Sequence, residues 1–132
     1  MARSRPTVSD LQALKGKRQL SKLRVFSLDE AEAAERAGID MISVTYELIF
    51  DPRFRDAAPT CFAIPGDEQA KMGATTDEIL RMAVKLRAAS ADAMYCSASL
   101  LTIRRLRDEH IRQRDLAAHA ADHDLDGRRR RL

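Results

Sequence analysis

The histidines and cysteines are the residue types in this chain that most readily suggest a reactive or metal-binding site. His119 and His123 are four residues apart, a spacing that places both side chains on one face of a helix and lets them bind one metal ion. His110 provides no third ligand at a matching spacing. Cys61 and Cys96 fall inside predicted strands without metal-ligand spacing, so we expect small buried residues in a reduced chain.

Basic residues offer little support for phosphate or nucleic-acid binding. Residues 128–131 are four consecutive arginines, but no aromatic residue alternates with them, and such a run is usually a solvated chain end. Lys71, Gly73 and Thr75 lack the Gly-Lys-Ser/Thr order of a phosphate loop. The net charge of +3 belongs mainly to residues 112–132, which contain six arginines and four aspartates. We therefore predict no nucleic-acid partner.

Length and composition limit the fold to one modest domain. The chain has 132 residues, whereas a complete (β/α)₈ barrel typically needs about 250. Charged residues at 33% and hydrophobic residues at 45% favour a folded globular chain over a disordered one. No apolar run approaches the roughly 20 residues of a membrane span, and no apolar stretch follows the first arginines as in a secretory signal. These features predict a cytoplasmic protein with no membrane partner.

A phrase that occurs twice predicts how the chain is organised. Residues 34–44 read AERAGIDMISV and residues 86–96 read LRAASADAMYC, and each describes a helix end, a small residue, an aspartate and a short apolar strand. A helix that repeatedly leads into a buried strand is the unit of a parallel α/β sheet. Gly38 is predicted to adopt positive φ at the first helix end. Ser90 occupies the equivalent place in the second phrase, at a cost of roughly 1 kcal/mol.

The periodicity predicts an α/β fold, a partial (β/α)₈ TIM barrel of about four parallel strands with crossover helices. The predicted strands are 22–27, 40–45, 60–64 and 91–96. The predicted helices are 7–14, 28–37, 75–89 and 99–109, with a further short one within 46–59. Ser9 or Asp10 is the predicted cap of the first helix. In the last helix Leu100, Ile103 and Leu106 are predicted to face inward. The predicted organisation is a helix and lead-in at 1–21, a half barrel at 22–110 and an Arg-rich tail at 111–132.

Four of these stretches resemble the ketopantoate hydroxymethyltransferases, and the similarity is greatest to a divergent branch of that family. They read TVSDLQALKGKRQL, EAAERAGIDMISV, APTCFAIPGD and LRAASADAMYCSASLLTIRRLRDE, in the order and spacing of the amino-terminal half of such enzymes. The resemblance implies an oligomeric (β/α)₈ barrel in pantothenate biosynthesis. It also implies Mg²⁺ and the transfer of a hydroxymethyl group from methylene-tetrahydrofolate to a branched 2-keto acid.

The resemblance also implies where a metal would bind. The family has Gly-Asp-Ser after its second strand, the aspartate being a metal ligand, and this chain has Tyr46 there, followed by Glu47. After the third strand the family has another aspartate ligand, and here Asp67 lies slightly beyond that position. Because Mg²⁺ prefers carboxylate oxygens, we expect Glu47 and Asp67 to share one Mg²⁺. The alternative is that both are solvated loop carboxylates.

Substrate-binding residues follow from the same resemblance. A Lys and a Glu end the fourth strand of the family, and these positions are Tyr95 and Ser97 here. Tyr46, Tyr95 and Ser97 are therefore the predicted substrate-binding residues, although a tyrosine such as Tyr95 often just places its hydroxyl at a strand rim. No catalytic residue is assigned, because the general base of the family belongs to the second half of the barrel.

Residues 111–132 lack the fifth strand that the fold requires. Their scattered Ala, Asp, His and Arg are typical of GC-rich DNA translated out of frame, so this tail is predicted to be frameshifted or disordered. The chain alone is then expected to be an impaired transferase. One alternative is a non-catalytic half-barrel remnant or interaction module that self-associates through open sheet edges. A weaker alternative is a barrel of the phosphoenolpyruvate mutase and isocitrate lyase type, whose Cys-containing catalytic loop is not seen.

Overall fold

The computed structural model describes residues 3–66 and 69–109 as a mixed α/β protein. The chain divides into two compact units, Met1–Ser97 and Ala98–Leu132. The first unit contains α1 (Val8–Ala13), β1 (Lys22–Arg24), α2 (Leu28–Arg36), β2 (Met41–Val44), α3 (Tyr46–Phe50), α4 (Phe54–Ala57), β3 (Phe62–Pro65), α5 (Gln69–Met72) and α6 (Thr76–Ala88). In the second unit, residues 100–109 are helical (α7).

The strands form an open, all-parallel sheet in the order β1-β2-β3. Its register pairs Arg24 with Ser43 and Ser43 with Ile64. Successive side chains of a strand point to opposite faces of the sheet. The face that carries Lys22 is called the Lys22 face, and one set of residues from the three strands lies on it. This set is Lys22, Arg24, Met41, Ser43, Phe62 and Ile64. On the opposite face Ile42, Val44 and Ala63 are fully buried, as expected for a parallel sheet.

Side-chain caps set where the main helices begin. Ser27 accepts a hydrogen bond from the Glu30 backbone N–H at the start of α2, and Thr75 does the same with Glu78 at the start of α6. The cap expected for α1 was wrong. Thr7 caps this helix, and Asp10 lies in its first turn, where its carboxylate accepts from the Thr7 backbone N–H and completes a capping box.

The repeated phrase of the sequence corresponds to a repeated helix end. Gly38 has φ +73°, and the Ile39 N–H donates to the Ala34 carbonyl across the end of α2. Ser90 has φ +66°, and the Ala91 N–H donates to Leu86 in the same way. Both are Schellman ends, so the positive φ expected at the two positions is confirmed.

The fourth strand predicted at 91–96 is not a strand, so the sheet has three strands instead of about four. The segment does lie beside β3, because Asp92 N–H donates to the Ala63 carbonyl and Tyr95 N–H to the Pro65 carbonyl, both at 3.0 Å. The hydrogen bonds that a ladder would form in the other direction, from the N–H groups of β3 to the carbonyls of this segment, are missing for two reasons. Pro65 has no N–H, and the Ala63 N–H donates to the Asp92 carboxylate at 2.9 Å.

Other element boundaries also differ from the predictions. β1 is shorter than the predicted 22–27, and β3 extends to Pro65. Residues 46–59 contain two short helices of about one turn each, in agreement with the short helical stretch predicted there. In α7, Leu100 is 85% exposed and Ile103 is 40% exposed, so their predicted inward orientation was wrong, although Leu106 is buried. Thr102, one turn before Leu106, is the other buried residue of α7. No helix among the described residues combines the length and apolar content needed to cross a membrane.

Asp40 ties the amino ends of β1 and β2 together. Its carboxylate accepts from the Ser21 N–H at 2.8 Å, immediately before β1, and from two guanidinium nitrogens of Arg18 at 2.8 and 3.1 Å. These contacts, with Arg18 the largest contributor, hold the pKa of Asp40 well below its usual range. Asp40 therefore stays ionised and fixes the start of β1.

Glu35 fixes the start of β3 in the same way. Its carboxylate accepts from the backbone N–H groups of Thr60 and Cys61 at 3.1 and 3.0 Å and from the Thr60 hydroxyl. Arg3 lies 3.9 Å away and donates to the Ile39 carbonyl as well. Burial opposes ionisation of Glu35, but these hydrogen bonds outweigh it and lower its pKa.

Asp92 and Arg55 form the most buried of these ion pairs. Arg55 Nη2 lies 2.8 Å from Asp92 Oδ2, with side-chain exposures of 19% and 14%. Arg55 also donates to the carbonyls of Ala58, Cys61 and Ser90 and to the Ser90 hydroxyl. Burial lowers the pKa of Arg55, and Asp92 opposes that shift. The pair thus connects α4, the start of β3 and the end of α6.

Removing the Arg55 charge should destabilise the fold strongly. We expect Arg55→Met to lower the free energy of unfolding by about 1–3 kcal/mol, because the backbone carbonyls that Arg55 binds lose their donor in a partly buried site. Arg5 Nε, 3.3 Å from Asp92 Oδ1, remains as a partner of that carboxylate. Arg53→Met is the matched control, since Arg53 is 73% exposed and pairs with Asp51. The control should leave the urea midpoint nearly unchanged. Equal midpoints for the two variants would contradict a structural role for Arg55.

The Asp40 carboxylate should make stability depend on pH in the acid range. Because its pKa is lower in the folded chain than in the unfolded one, its contribution is present above about pH 5 and declines as pH falls toward about 2. We expect Asp40→Asn to flatten this acid slope in urea unfolding series, with the exposed Asp56→Asn as control. A wild-type slope in Asp40→Asn would exclude the carboxylate as its source.

Candidate functional site

Three polar side chains from separate parts of the chain meet at the Lys22 face. Lys22 begins β1, Ser43 belongs to β2, and Tyr95 belongs to the segment beside β3. The Lys22 ammonium donates a hydrogen bond to the Tyr95 hydroxyl and lies 4.7 Å from the centroid of the tyrosine ring. The Tyr95 hydroxyl is in turn 3.2 Å from Ser43 Oγ. These residues are named the Lys22–Ser43–Tyr95 cluster.

The backbone after β3 positions Tyr95 in this cluster. Tyr95 N–H donates to the Pro65 carbonyl, and the next residue, Gly66, has φ +132°. A Cβ atom at Gly66 would lie 2.7 Å from the Tyr95 Cβ, a distance that side chains do not adopt. Gly66 therefore satisfies two needs at once, a backbone conformation reserved for glycine and the close approach of Tyr95.

The cluster is partly open to solvent and carries positive charge. Ser43 is 4% exposed, whereas Tyr95 is 36% exposed, so the hydroxyl pair extends from a buried floor toward the surface. Arg24 is on the same face of β1 as Lys22 and lies opposite Ser43 in the register. An ammonium group beside two hydroxyls can bind an oxyanion or orient a carbonyl oxygen.

The predicted substrate-binding residues have different environments. Tyr95 is in the cluster just described. Tyr46 is the first residue of α3, directly after the Thr45 cap, and is 3% exposed. Ser97 is exposed at the end of the first unit. The roles assigned to Tyr46 and Ser97 stay predictions.

Glu47 is the described member of the predicted metal pair, and it faces solvent. Its side chain is 84% exposed, and Oε1 lies 3.1 Å from Lys71 Nζ. Asp67 is outside the described residues, as are His110, the pair His119 and His123, and the arginine run 128–131. Within residues 3–66 and 69–109, no group of three or more His, Cys, Asp or Glu side chains could hold a metal ion. A shared Mg²⁺ stays a prediction.

Cys61 is unsuited to nucleophilic chemistry. It is fully buried immediately before β3, and its Sγ lies 3.3 Å from the Ile39 carbonyl. Burial, with a smaller contribution from Glu35, raises the pKa of the Cys61 thiol to about 12. The sequence prediction of a small buried residue is confirmed for Cys61, while Cys96 is half-buried and, like Cys61, a free thiol.

Lys22 and Ser43 were missed by the sequence analysis, which treated both as ordinary strand residues. A signal for them exists in the strand sequences, because Ser43 interrupts the apolar run MISV, and Lys22 and Arg24 alternate with Leu23 in KLR. The parallel register turns these polar positions into neighbours on one face. What the sequence could not give is the register, because several alignments of two short strands are compatible with their patterns.

Comparisons with known proteins found no family model, curated protein or solved structure that matches this chain. The contacts of the Lys22–Ser43–Tyr95 cluster are therefore the structural basis for assigning a site.

The predicted Glu47–Asp67 metal pair can be tested by titration. If the pair binds Mg²⁺, we expect Glu47→Ala/Asp67→Ala to lose the saturable heat of Mg²⁺ binding that the wild type gives in calorimetry. Lys71→Met should strengthen binding, because it removes the ammonium that competes for Glu47. The exposed pair Glu32→Ala/Asp56→Ala is the control. Identical titrations for the wild type and the Glu47–Asp67 variant would rule out the site.

Proposed function

We propose that residues 22–97 are β/α units of a (β/α)₈ barrel of the ketopantoate hydroxymethyltransferase family, and that the chain binds a branched 2-keto acid without transferring a hydroxymethyl group. The observation that carries this proposal is the strand order. The parallel strands follow one another as β1-β2-β3, an order that a barrel shares with one half of a doubly wound sheet. A barrel requires this consecutive order.

The segment that follows α6 supports the same architecture. It continues from β3 on the side away from β2, through the hydrogen bonds of Asp92 and Tyr95 to Ala63 and Pro65. A fourth barrel unit would occupy this place. The four stretches that resemble the family fall on α1 with its lead-in, on α2 with β2, on β3, and on the segment from α6 to α7.

The described residues do not fit the Mg²⁺ that the family uses to stabilise an enolate. Mg²⁺ needs oxygen ligands, usually one or two carboxylates with waters. Tyr46 replaces one family carboxylate, and Glu47 is exposed and paired with Lys71. The proposed function therefore uses neither a metal nor methylene-tetrahydrofolate. Substrate binding by Tyr95, with Tyr46 and Ser97 as further proposed contacts, is the part of the family function that this chain retains.

Self-association is a second candidate function, favoured by the open edge at β1. In the described part of the chain β1 pairs only with β2, and Leu23 and Phe26 near this edge are 47% and 63% exposed. Lys22 and Arg24 oppose pairing between like edges, because charged residues on an edge strand discourage strand addition. We rank keto-acid binding first for that reason.

Binding and turnover measured together test the proposed function. We expect saturable calorimetric binding of 3-methyl-2-oxobutanoate and no hydroxymethylated product with methylene-tetrahydrofolate and Mg²⁺ by mass spectrometry. The ligand control is 2-hydroxy-3-methylbutanoate, which has the same charge and similar size but no keto group, and should bind more weakly. Equal affinity for the two acids would refute recognition of a keto acid, and product formation would refute the loss of transfer. Size-exclusion chromatography of the same samples reports on self-association.

A further inference from the structure

We propose that the Lys22–Ser43–Tyr95 cluster is an oxyanion-binding subsite that takes the carboxylate of a small organic acid. The identity of that acid as a 2-keto acid rests on the proposed function, whereas the subsite itself rests on charge and geometry. Three features of the first unit carry the inference: the charge of the Lys22 face, the hydrogen-bonding partners of its lysine, and the preorganisation of its tyrosine.

The strand residues of the Lys22 face have a one-sided charge. Lys22 and Arg24 are basic, and none of the other strand positions on this face is acidic. Those positions are Met41, Ser43, Phe62 and Ile64. Two positive charges two residues apart on one face raise the local concentration of anions near it.

Lys22 differs from Arg3, Arg18 and Arg55 in the kind of partner it contacts. Arg3, Arg18 and Arg55 each have a carboxylate within 4 Å. The contacts described for Lys22 are instead with the hydroxyl and the ring of Tyr95, which are neutral. A bound carboxylate would supply at Lys22 the negative partner that these arginines already have within the chain.

The donors of the cluster suit a ligand that accepts hydrogen bonds. An ammonium has three N–H donors and no acceptor, and Tyr95 takes one of those donors. A carboxylate beside Lys22 would accept from the ammonium and from a hydroxyl of the Tyr95–Ser43 pair. Hydrogen bonds between ionised partners are about twice as strong as neutral ones.

The cluster is preorganised and accessible. Gly66 fixes the approach of Tyr95, and the Tyr95 N–H is bonded to Pro65. Ser43 forms a buried floor inside β2, whereas Tyr95 is 36% exposed. A small ligand would therefore meet donors that are already in place, which reduces the ordering cost of binding.

Ligands that carry the carboxylate, the keto group or both test the subsite in calorimetric or NMR titrations of the full chain. The probes are 3-methyl-2-oxobutanoate, 3-methylbutanoate without the keto group, the neutral ketone 3-methyl-2-butanone, and inorganic phosphate. We expect both carboxylates to bind and the neutral ketone not to bind. Phosphate should compete, because it shares oxyanion chemistry, but bind less tightly than the keto acid.

Variants identify the residues responsible. We expect Lys22→Met to weaken carboxylate binding about tenfold or more, since hydrogen bonds to charged groups are the stronger class. Tyr95→Phe should weaken it several-fold, Lys22→Arg should retain most of it, and the exposed Lys17→Met should behave as the wild type. Circular dichroism of each variant checks folding, and Tyr95→Phe keeps the test valid if Lys22→Met unfolds, because unchanged binding in that variant would contradict the subsite.

The outcomes distinguish the subsite from the proposed function. Binding of both carboxylates with equal affinity, lost in Lys22→Met, supports the subsite and refutes keto-acid recognition. Binding of the keto acid that Lys22→Met leaves unchanged refutes the subsite and leaves the proposed function standing. Equal binding of the neutral ketone, or tighter binding of phosphate than of either carboxylate, overturns the assignment to a carboxylate.

Discussion

The carboxylates that accept backbone N–H groups at the amino ends of the strands are the interaction on which the first unit depends. The Asp40 carboxylate accepts from the Ser21 N–H, that of Glu35 from the N–H groups of Thr60 and Cys61, and that of Asp92 from the Ala63 N–H. Each carboxylate also has an arginine partner. The strands are only three or four residues long, so their own ladder contains few hydrogen bonds. The ion pairs at these strand starts therefore add contacts that support the register set by the ladder.

This arrangement separates two kinds of charge. At the amino ends of the strands, acidic and basic groups pair within the chain, and these ion pairs stabilise the packing of the elements. On the Lys22 face the strand charges are basic, and Lys22 contacts a phenol ring and hydroxyl. Barrel proteins commonly separate a stabilising end of the sheet from the region that meets ligands. The proposed carboxylate subsite instead spans both ends of the sheet, because Lys22 begins β1 whereas Tyr95 lies beside Pro65 at the end of β3.

The sequence predicted the features that depend on neighbours along the chain and failed for those that depend on neighbours in space. The Gly38 and Ser90 helix ends follow from local hydrogen-bonding chemistry. The roles of Arg3 and Arg55 require knowing which strand starts lie side by side. The fourth strand was overpredicted because apolar periodicity does not report whether the neighbouring edge has N–H groups to donate.

Pro65 and Asp92 together give the far edge of β3 an unusual character. Pro65 lacks an N–H, and the Ala63 N–H donates to the Asp92 carboxylate, while the carbonyls of Ala63 and Pro65 already accept from the N–H groups of Asp92 and Tyr95. A strand from another molecule would therefore meet no free donor at these two positions and only carbonyls that already accept a hydrogen bond. The same chemistry that denies this protein a regular fourth strand therefore protects it from runaway polymerisation through that side of the sheet.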